Sequence, residues 1–190
     1  MPPDLIPEPR LRALMLACLR GAPAGPLRLF AYGSLIWERG FPHLDAQPCR
    51  LRGYDRRYGL WDESNRGTAA APSLTLGLEP GIGCGGVAFT LPDAEALWPA
   101  WKQEMRPGAY TAIWVALPGL GPALTFVADR THRLYAGTRL DQAQLIALGH
   151  GEKGSAVEYL DRTAGALRET GQPDAALEAL RRAIGPRAAA

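Results

Sequence analysis

Six short runs of strand-forming residues, each ended by Gly, Pro or Asp, lie between Leu27 and Asp129, and they constrain the fold most. They cover 27–32, 48–60, 73–79, 85–91, 110–117 and 123–129;. Many short strands joined by turns make a sheet that curls or closes, with its apolar outer face covered by helices. The expected class is α+β: a mixed, curled β-sheet or small β-barrel with surrounding helices.

The helices have their own signals. Arg10 to Arg20 reads as a helix, and Gly21 to Pro26 as a linker by composition;. Asp93 is placed to cap a helix running through Leu97, Trp98, Trp101 and Met105, with Pro99 disturbing its first part and Pro107-Gly108 ending it;. From Asp141 the pattern turns helical. Asp141 caps a segment to about Leu148, and Ser155 with Glu158 has the capping-box spacing;. The helix that follows carries Val157, Leu160, Ala164 and Leu167 and stops at Gly171; Asp174 opens a last one with Leu177, Leu180 and Ile184;. The expected division is an N-terminal helix and linker (1–26), a catalytic domain (27–184) and a tail (185–190). Met1 to Pro9 and Arg187 to Ala190 are expected to be loosely ordered.

Composition narrows the function classes. With 190 residues and 47% hydrophobic, the chain can bury a core without staples;. Its 21 basic and 19 acidic residues leave a net charge of +2, too balanced for nucleic acid as the main partner;. Cys18, Cys49 and Cys84 are odd in number and far apart, so they form no disulfide framework or metal motif, and a reducing compartment fits;. No apolar run approaches the ~20 residues of a membrane span. Ala13 to Leu19 faintly resembles a signal-peptide core. It ends at Arg20 and has Asp4 and Glu8 ahead of it, so it reads as an amphipathic helix of a cytoplasmic protein;. His43, His132 and His150 have no ligand spacing, and no metal or cofactor is expected;. No oligomeric state is read from the sequence.

Three places could carry chemistry. Tyr32-Gly33-Ser34-Leu35 interrupts an apolar run, and a strand that breaks at Gly-Ser leaves backbone N–H groups free of the ladder;. Successive free N–H groups make a concavity for an anion such as a carboxylate. The same residues can also be an ordinary strand end. Glu104 lies near the end of the helix opened by Asp93, where tryptophans on adjacent turns would form an apolar wall. Such a wall would raise its pKa toward the range of a general base;. The alternative is a solvated carboxylate, or one paired with Lys102 or Arg106. Asp62 and Arg66 form the third place, in a loop: either a turn ion pair, or an Arg that with Gly67-Thr68 reaches an anionic part of a substrate, oriented by Asp62.

These motifs recur in a recognisable order. Phe30 to Trp37 is followed by Arg52 to Tyr58, Arg66-Gly67-Thr68, Leu74 to Leu78, Gly86 to Phe89, Glu104-Met105-Arg106, Ala123 to Asp129, and Gly151 to Gly154 leading to Glu158-Tyr159-Leu160. From about Leu27 to Leu180 the chain resembles the ChaC family of glutathione-specific γ-glutamylcyclotransferases. The resemblance implies that the substrate's α-amine attacks its own γ-carbonyl, giving 5-oxoproline and releasing the amine of the remaining peptide. It implies Glu104 as general acid–base and Tyr32, Gly33, Ser34 and Leu35 as the grip on the α-carboxylate or the oxyanion. Members of the family also carry an acidic residue and an Arg where Asp62 and Arg66 stand. The implied partner is a small molecule, glutathione. The alternatives are another γ-glutamyl amine or peptide, or a non-catalytic γ-glutamyl binder, in line with the family's older link to cation transport. Phe126 departs from members that place a tyrosine hydroxyl in that strand; Tyr110 and Tyr135 are both possible substitutes. Gly149 to Gly154 lacks the ending of a phosphate loop and is expected to be a substrate rim or a connector;.

Overall fold

The computed structural model describes residues 5–137 and 139–185. In chain order the elements are α1 (Glu8–Arg20), β1 (Arg28–Ala31), a 3₁₀ turn (Ser34–Ile36), β2 (Asp45–Asp62) and β3 (Ser73–Thr90). A second 3₁₀ turn (Glu95–Leu97) then leads into α2 (Trp98–Met105), β4 (Tyr110–Leu117), β5 (Gly121–Ala128) and α3 (Gln142–Leu148). A small hairpin of β6 (His150–Gly151) and β7 (Gly154–Ser155) precedes α4 (Ala156–Glu169) and α5 (Ala175–Ile184). The expected α+β class holds, in its curled-sheet form. The sheet order is β2-β3-β1-β5-β4, and among the described residues no ladder joins β2 to β4 to close it.

Two of the expected strands are one. Ser73–Thr90 runs through Pro80-Gly81 without a break in the sheet. Glycine and proline end a strand when the N–H groups they free have nowhere to go. Here the Asp55 carboxylate on neighbouring β2 accepts from the N–H groups of Ile82 (2.8 Å) and Gly83 (2.9 Å) and replaces the lost ladder bonds;. β2 and β3 therefore pair from Asp45↔Thr90 to Asp62↔Ser73 as a single ribbon, with register shifts at Arg52/Tyr54 and Tyr58/Leu60.

β1 is the short strand at the centre. It lies antiparallel to the end of β3 and parallel to β5, with Leu29 opposite Leu124. It stops at Ala31, and β3 and β5 then meet directly, Leu78 opposite Val127. With both neighbours paired to each other, the chain after Ala31 must leave the sheet. The Tyr32–Leu35 segment is what leaves.

Local caps follow the sequence closely. Asp141 accepts from Gln144 N–H, Ser155 from Glu158 N–H, and Asp174 from the N–H groups of Ala176 and Leu177;. Asp93 caps at 2.8 Å, but what it opens is the 3₁₀ turn ahead of α2. Pro99 then sits in the first turn of α2, where its missing N–H costs nothing;. α1 begins earlier than expected, at Glu8 with Pro9 in its first turn, so residues 8 and 9 are helical. It is packed on the body of the molecule: Leu11 and Met15 are buried in the main core, and Leu11 C=O accepts from Trp101 Nε1 at 3.0 Å. Gly21–Pro26 is exposed, as a linker should be. Met1 to Asp4 and the tail from Pro186 onward lie outside the described residues.

Candidate active site

One cavity opens where β1 leaves the sheet. Its wall includes Tyr32, Gly33, Ser34, Leu35, Asp62, Arg66 and Glu104. The structure thus brings together on one wall all seven residues singled out from the sequence, from three separate segments.

The Tyr32–Leu35 segment has the free donors that a broken strand predicts. Gly33 C=O accepts from Ile36 N–H (3.0 Å), and Ser34 C=O from the N–H groups of Trp37 (3.0 Å) and Glu38 (2.6 Å). The carbonyls are occupied, while no acceptor among the described residues pairs with the N–H groups of Gly33, Ser34 or Leu35. Three consecutive unpaired amides make the anion concavity. Gly33 is favoured for a steric reason: a Cβ there would lie 3.0 Å from the Tyr159 hydroxyl, a tight contact at which one of the two would have to yield. Gly33→Ala should leave the fold intact and raise KM about threefold to tenfold by pushing the loop off Tyr159. The double variant with Tyr159→Phe should recover part of that loss. Steady-state kinetics of the three variants would check both expectations.

The loop's orientation is set by a residue the sequence did not single out. Arg56 on β2 has a fully buried side chain. Its guanidinium donates to the carbonyls of Tyr32 and Gly85 and to the Asp174 carboxylate that caps α5. In a trans peptide the C=O and the next N–H point in opposite directions. Fixing Tyr32 C=O toward Arg56 therefore turns Gly33 N–H to the other side.

Glu104 faces the cavity because of the helix phase. At about 100° per residue it falls between Ala100 and Trp101, both buried, on the inward side of α2;. Among the described residues it makes no ion pair with Lys102 or Arg106. Its Oε1 accepts from Gln103 Nε2 at 3.2 Å, and the same nitrogen donates to Ser34 Oγ at 3.0 Å. One amide thus ties the carboxylate to the loop. Burial raises the pKa of Glu104 to about 7, against the smaller downward pulls of the Gln103 hydrogen bond and the Lys153 charge;. The expected tryptophan wall is not the cause. Trp101 is turned into the core, edge-on to Phe126 at 6.0 Å, and the apolar cavity wall includes Leu60, Leu76, Ala109, Phe126 and Leu134.

Asp62 and Arg66 are both buried and do not pair with each other among the described residues. The Asp62 carboxylate accepts from the N–H groups of Ser64 (3.1 Å) and Asn65 (2.7 Å), shaping the loop on which Arg66 sits;. Arg66 Nη1 donates to Lys153 C=O, to Ser155 C=O (3.3 Å) and to Glu158 (3.5 Å). Gly149 to Gly154 is therefore more than a connector. Its hairpin docks on this loop, with Glu152 N–H on Ser64 C=O (2.9 Å) and Lys153 N–H on Asn65 C=O (2.8 Å). A Cβ on Gly151 would lie 2.4 Å from Ser64 C=O, so only glycine permits the contact. The hairpin brings Lys153 to the cavity wall.

Of the tyrosines, Tyr135 gives its proton to Glu79 (3.1 Å) and Tyr110 gives its to Leu76 C=O (2.7 Å). The Tyr32 hydroxyl is buried with no partner among the described residues, on a residue that contributes to the cavity wall. Burial, and then the charge of Glu104, hold it protonated, well above the ordinary phenol range. It is a proton donor in want of an acceptor. No group of three or more His, Cys, Asp or Glu among the described residues could hold a metal ion. No described helix is long and apolar enough to cross a membrane.

Comparison with known proteins places the chain in a family. The family model described as ChaC-like protein matches residues 27–187, a span that includes the seven site residues. The glutathione-specific gamma-glutamylcyclotransferase of Escherichia coli K12 is 32% identical over 165 residues, covering 82% of this chain and 71% of that protein. That of Schizosaccharomyces pombe is 31% identical over 174 residues, covering 77% and 85%. Human glutathione-specific gamma-glutamylcyclotransferase 1 is 34% identical over 154 residues, covering 73% and 68%. The crystal structure of a yeast gamma-glutamylcyclotransferase specific to glutathione has the same fold, with a TM-score of 0.75 over 85% of this chain and 96% of that one at 19% identity. A family-model match over most of the chain, with relatives above 30% identity, makes the chain a member of the ChaC-like family.

Proposed function

We propose that this protein is a glutathione-specific γ-glutamylcyclotransferase, converting glutathione to 5-oxoproline and cysteinylglycine. The observation that carries the reading is Glu104, with a pKa of about 7, held by Gln103 beside three unpaired backbone amides in one cavity. The names of the similar proteins point to the same substrate.

The N–H groups of Gly33, Ser34 and Leu35 take the α-carboxylate, and Arg66 lends its charge to that end of the site. This curls the γ-glutamyl chain so that its amine lies against its own γ-carbonyl; such orientation removes much of the barrier. Glu104, ionised, takes a proton from the α-ammonium. The amine nitrogen then bonds to the γ-carbon, and the carbonyl oxygen becomes an oxyanion, to which the Tyr32 hydroxyl donates. Glu104 passes its proton to the cysteinyl nitrogen as the original C–N bond breaks, then takes the second proton from the ring nitrogen and hands it to the departing amine, which leaves as an ammonium. No water is consumed, and the two products together contain every atom of the substrate. A carboxyl group near pH 7 can both accept and return the proton. The free thiols of Cys18, Cys49 and Cys84 fit a reducing, cytoplasmic setting;.

Purified protein incubated with glutathione should release 5-oxoproline and cysteinylglycine in equal amounts. Because the base must be ionised, kcat/KM should rise with pH across a midpoint near 7. A profile flat from pH 5.5 to 8 would remove Glu104 as the base. Cyclisation of other γ-glutamyl amines but not of glutathione would move the assignment to a different leaving group.

A further inference from the structure

Six charged side chains line the cavity among the described residues: Glu38, Asp62, Glu63, Arg66, Glu104 and Lys153. Four already have duties. Asp62 holds two amides, Glu63 accepts from Arg133 at 3.1 and 3.2 Å, Arg66 anchors the hairpin with only 5% of its side chain exposed, and Glu104 is the base. The remaining two face each other loosely. Lys153 Nζ lies 3.4 Å from Glu38 Oε1, with side chains 42% and 38% exposed. Direct charge-assisted hydrogen bonds are shorter, about 2.7–2.9 Å, and pairs this exposed hold weakly. An ammonium also has three donors, so Lys153 has capacity for a further anion.

The position of Lys153 is firm even though its tip is held only by the long contact to Glu38. Its backbone N–H is bonded to Asn65 C=O and its C=O takes Arg66, so the main chain is fixed from both sides. The stem then carries the charge to the rim, near enough for Glu104 to feel it. The wall thus has two cations. A γ-glutamyl peptide with a free C-terminus has two carboxylates, one at each end. Arg66 and the loop amides serve the α-carboxylate, which leaves the other for Lys153.

Resting on the cyclotransferase reading, we propose that Lys153 is a specificity-determining residue for the leaving group. Its ammonium binds the C-terminal carboxylate of the departing peptide and selects γ-glutamyl peptides that end in a free carboxylate over γ-glutamyl amines and C-terminally blocked peptides. Glu38 holds the ammonium in place until that carboxylate arrives.

The test compares glutathione with its C-terminal amide, which differs in the one charge. The ratio of kcat/KM for acid over amide should be well above one in the wild type. In Lys153→Gln it should fall about tenfold, through KM, the scale of one charge-assisted hydrogen bond at a partly exposed site. Lys153→Arg should restore most of it. A wild-type ratio near one, or a ratio unaltered in Lys153→Gln, overturns the assignment while leaving cyclisation in place. If the wild type forms 5-oxoproline from neither substrate, it is the cyclotransferase reading that fails.

Discussion

Glu104→Gln is expected to lower kcat by about 10²- to 10⁴-fold, the usual contribution of a positioned general acid–base. Affinity for a γ-glutamyl analogue that cannot cyclise should change little. The glutamine keeps the size of the side chain and an oxygen for Gln103 Nε2. The variant should also be more stable than wild type at alkaline pH. The folded protein holds the Glu104 proton to about pH 7, whereas the unfolded chain releases it near 4.5. Between those values the native state binds the extra proton, so wild-type stability falls as pH rises. Glutamine has no such dependence. Below about pH 4 the two proteins should melt together; by pH 8 the variant should lead by about 2–4 °C, on the order of 1 kcal/mol once the carboxylate's contact with solvent is allowed for. Loss of turnover with a gain in melting temperature separates a missing base from a damaged fold. Turnover near wild type would exclude Glu104 from the chemistry.

Removing the Arg56 guanidinium should have the largest effect on stability. Arg56→Met leaves the carbonyls of Tyr32 and Gly85 without this donor and Asp174 Oδ2 without its counter-ion, in a site where the guanidinium has no exposure, although Asp174 Oδ1 keeps the amides of α5. Breaking a buried pair by removing one partner costs about 3–5 kcal/mol, measurable by urea denaturation. Arg56→Lys is the more informative variant. It keeps the charge beside Asp174, but a single nitrogen cannot reproduce the fork that reaches two carbonyls as well. It should fold, and the unfixed Tyr32–Gly33 peptide should raise KM about tenfold more than it lowers kcat. An unchanged KM in the folded Lys variant would show that the loop holds its geometry without the clamp.

What could be read in advance and what could not divides along physical lines. Asp141, Ser155 and Asp174 were legible as caps because a cap is decided within four residues of chain. Gly33-Ser34 was legible as a strand break for the same reason, and Glu104 through the order of motifs around it. Arg56 was not. Counting alternate residues along β2 should separate its two faces, yet Leu51 and Arg56, five apart, are both buried. The register shift next to Gly53, whose φ is +84°, flips the parity between them, and nothing in Arg52 to Tyr58 announces that shift;. Lys153 was hidden differently. Its place on the cavity wall depends on a hairpin docking against Ser64 and Asn65, a contact between segments far apart in sequence. Trp101 misled because helix spacing says which residues share a side, not which of them meets a cavity and which meets the core. The fusion of two expected strands into β3 likewise depended on Asp55, a residue on the neighbouring strand.

The tie between Arg56 and Asp174 has a consequence for how the protein comes into being. The two residues are 118 positions apart. A nascent chain emerging from the ribosome can lay down β1 and the first half of the sheet early, but the guanidinium then lacks its counter-ion until the final helix has been made. The loop near residue 33 is thus encoded early and matures late, so a ribosome-bound intermediate would carry Glu104 before the Tyr32–Gly33 peptide beside it had its full clamp.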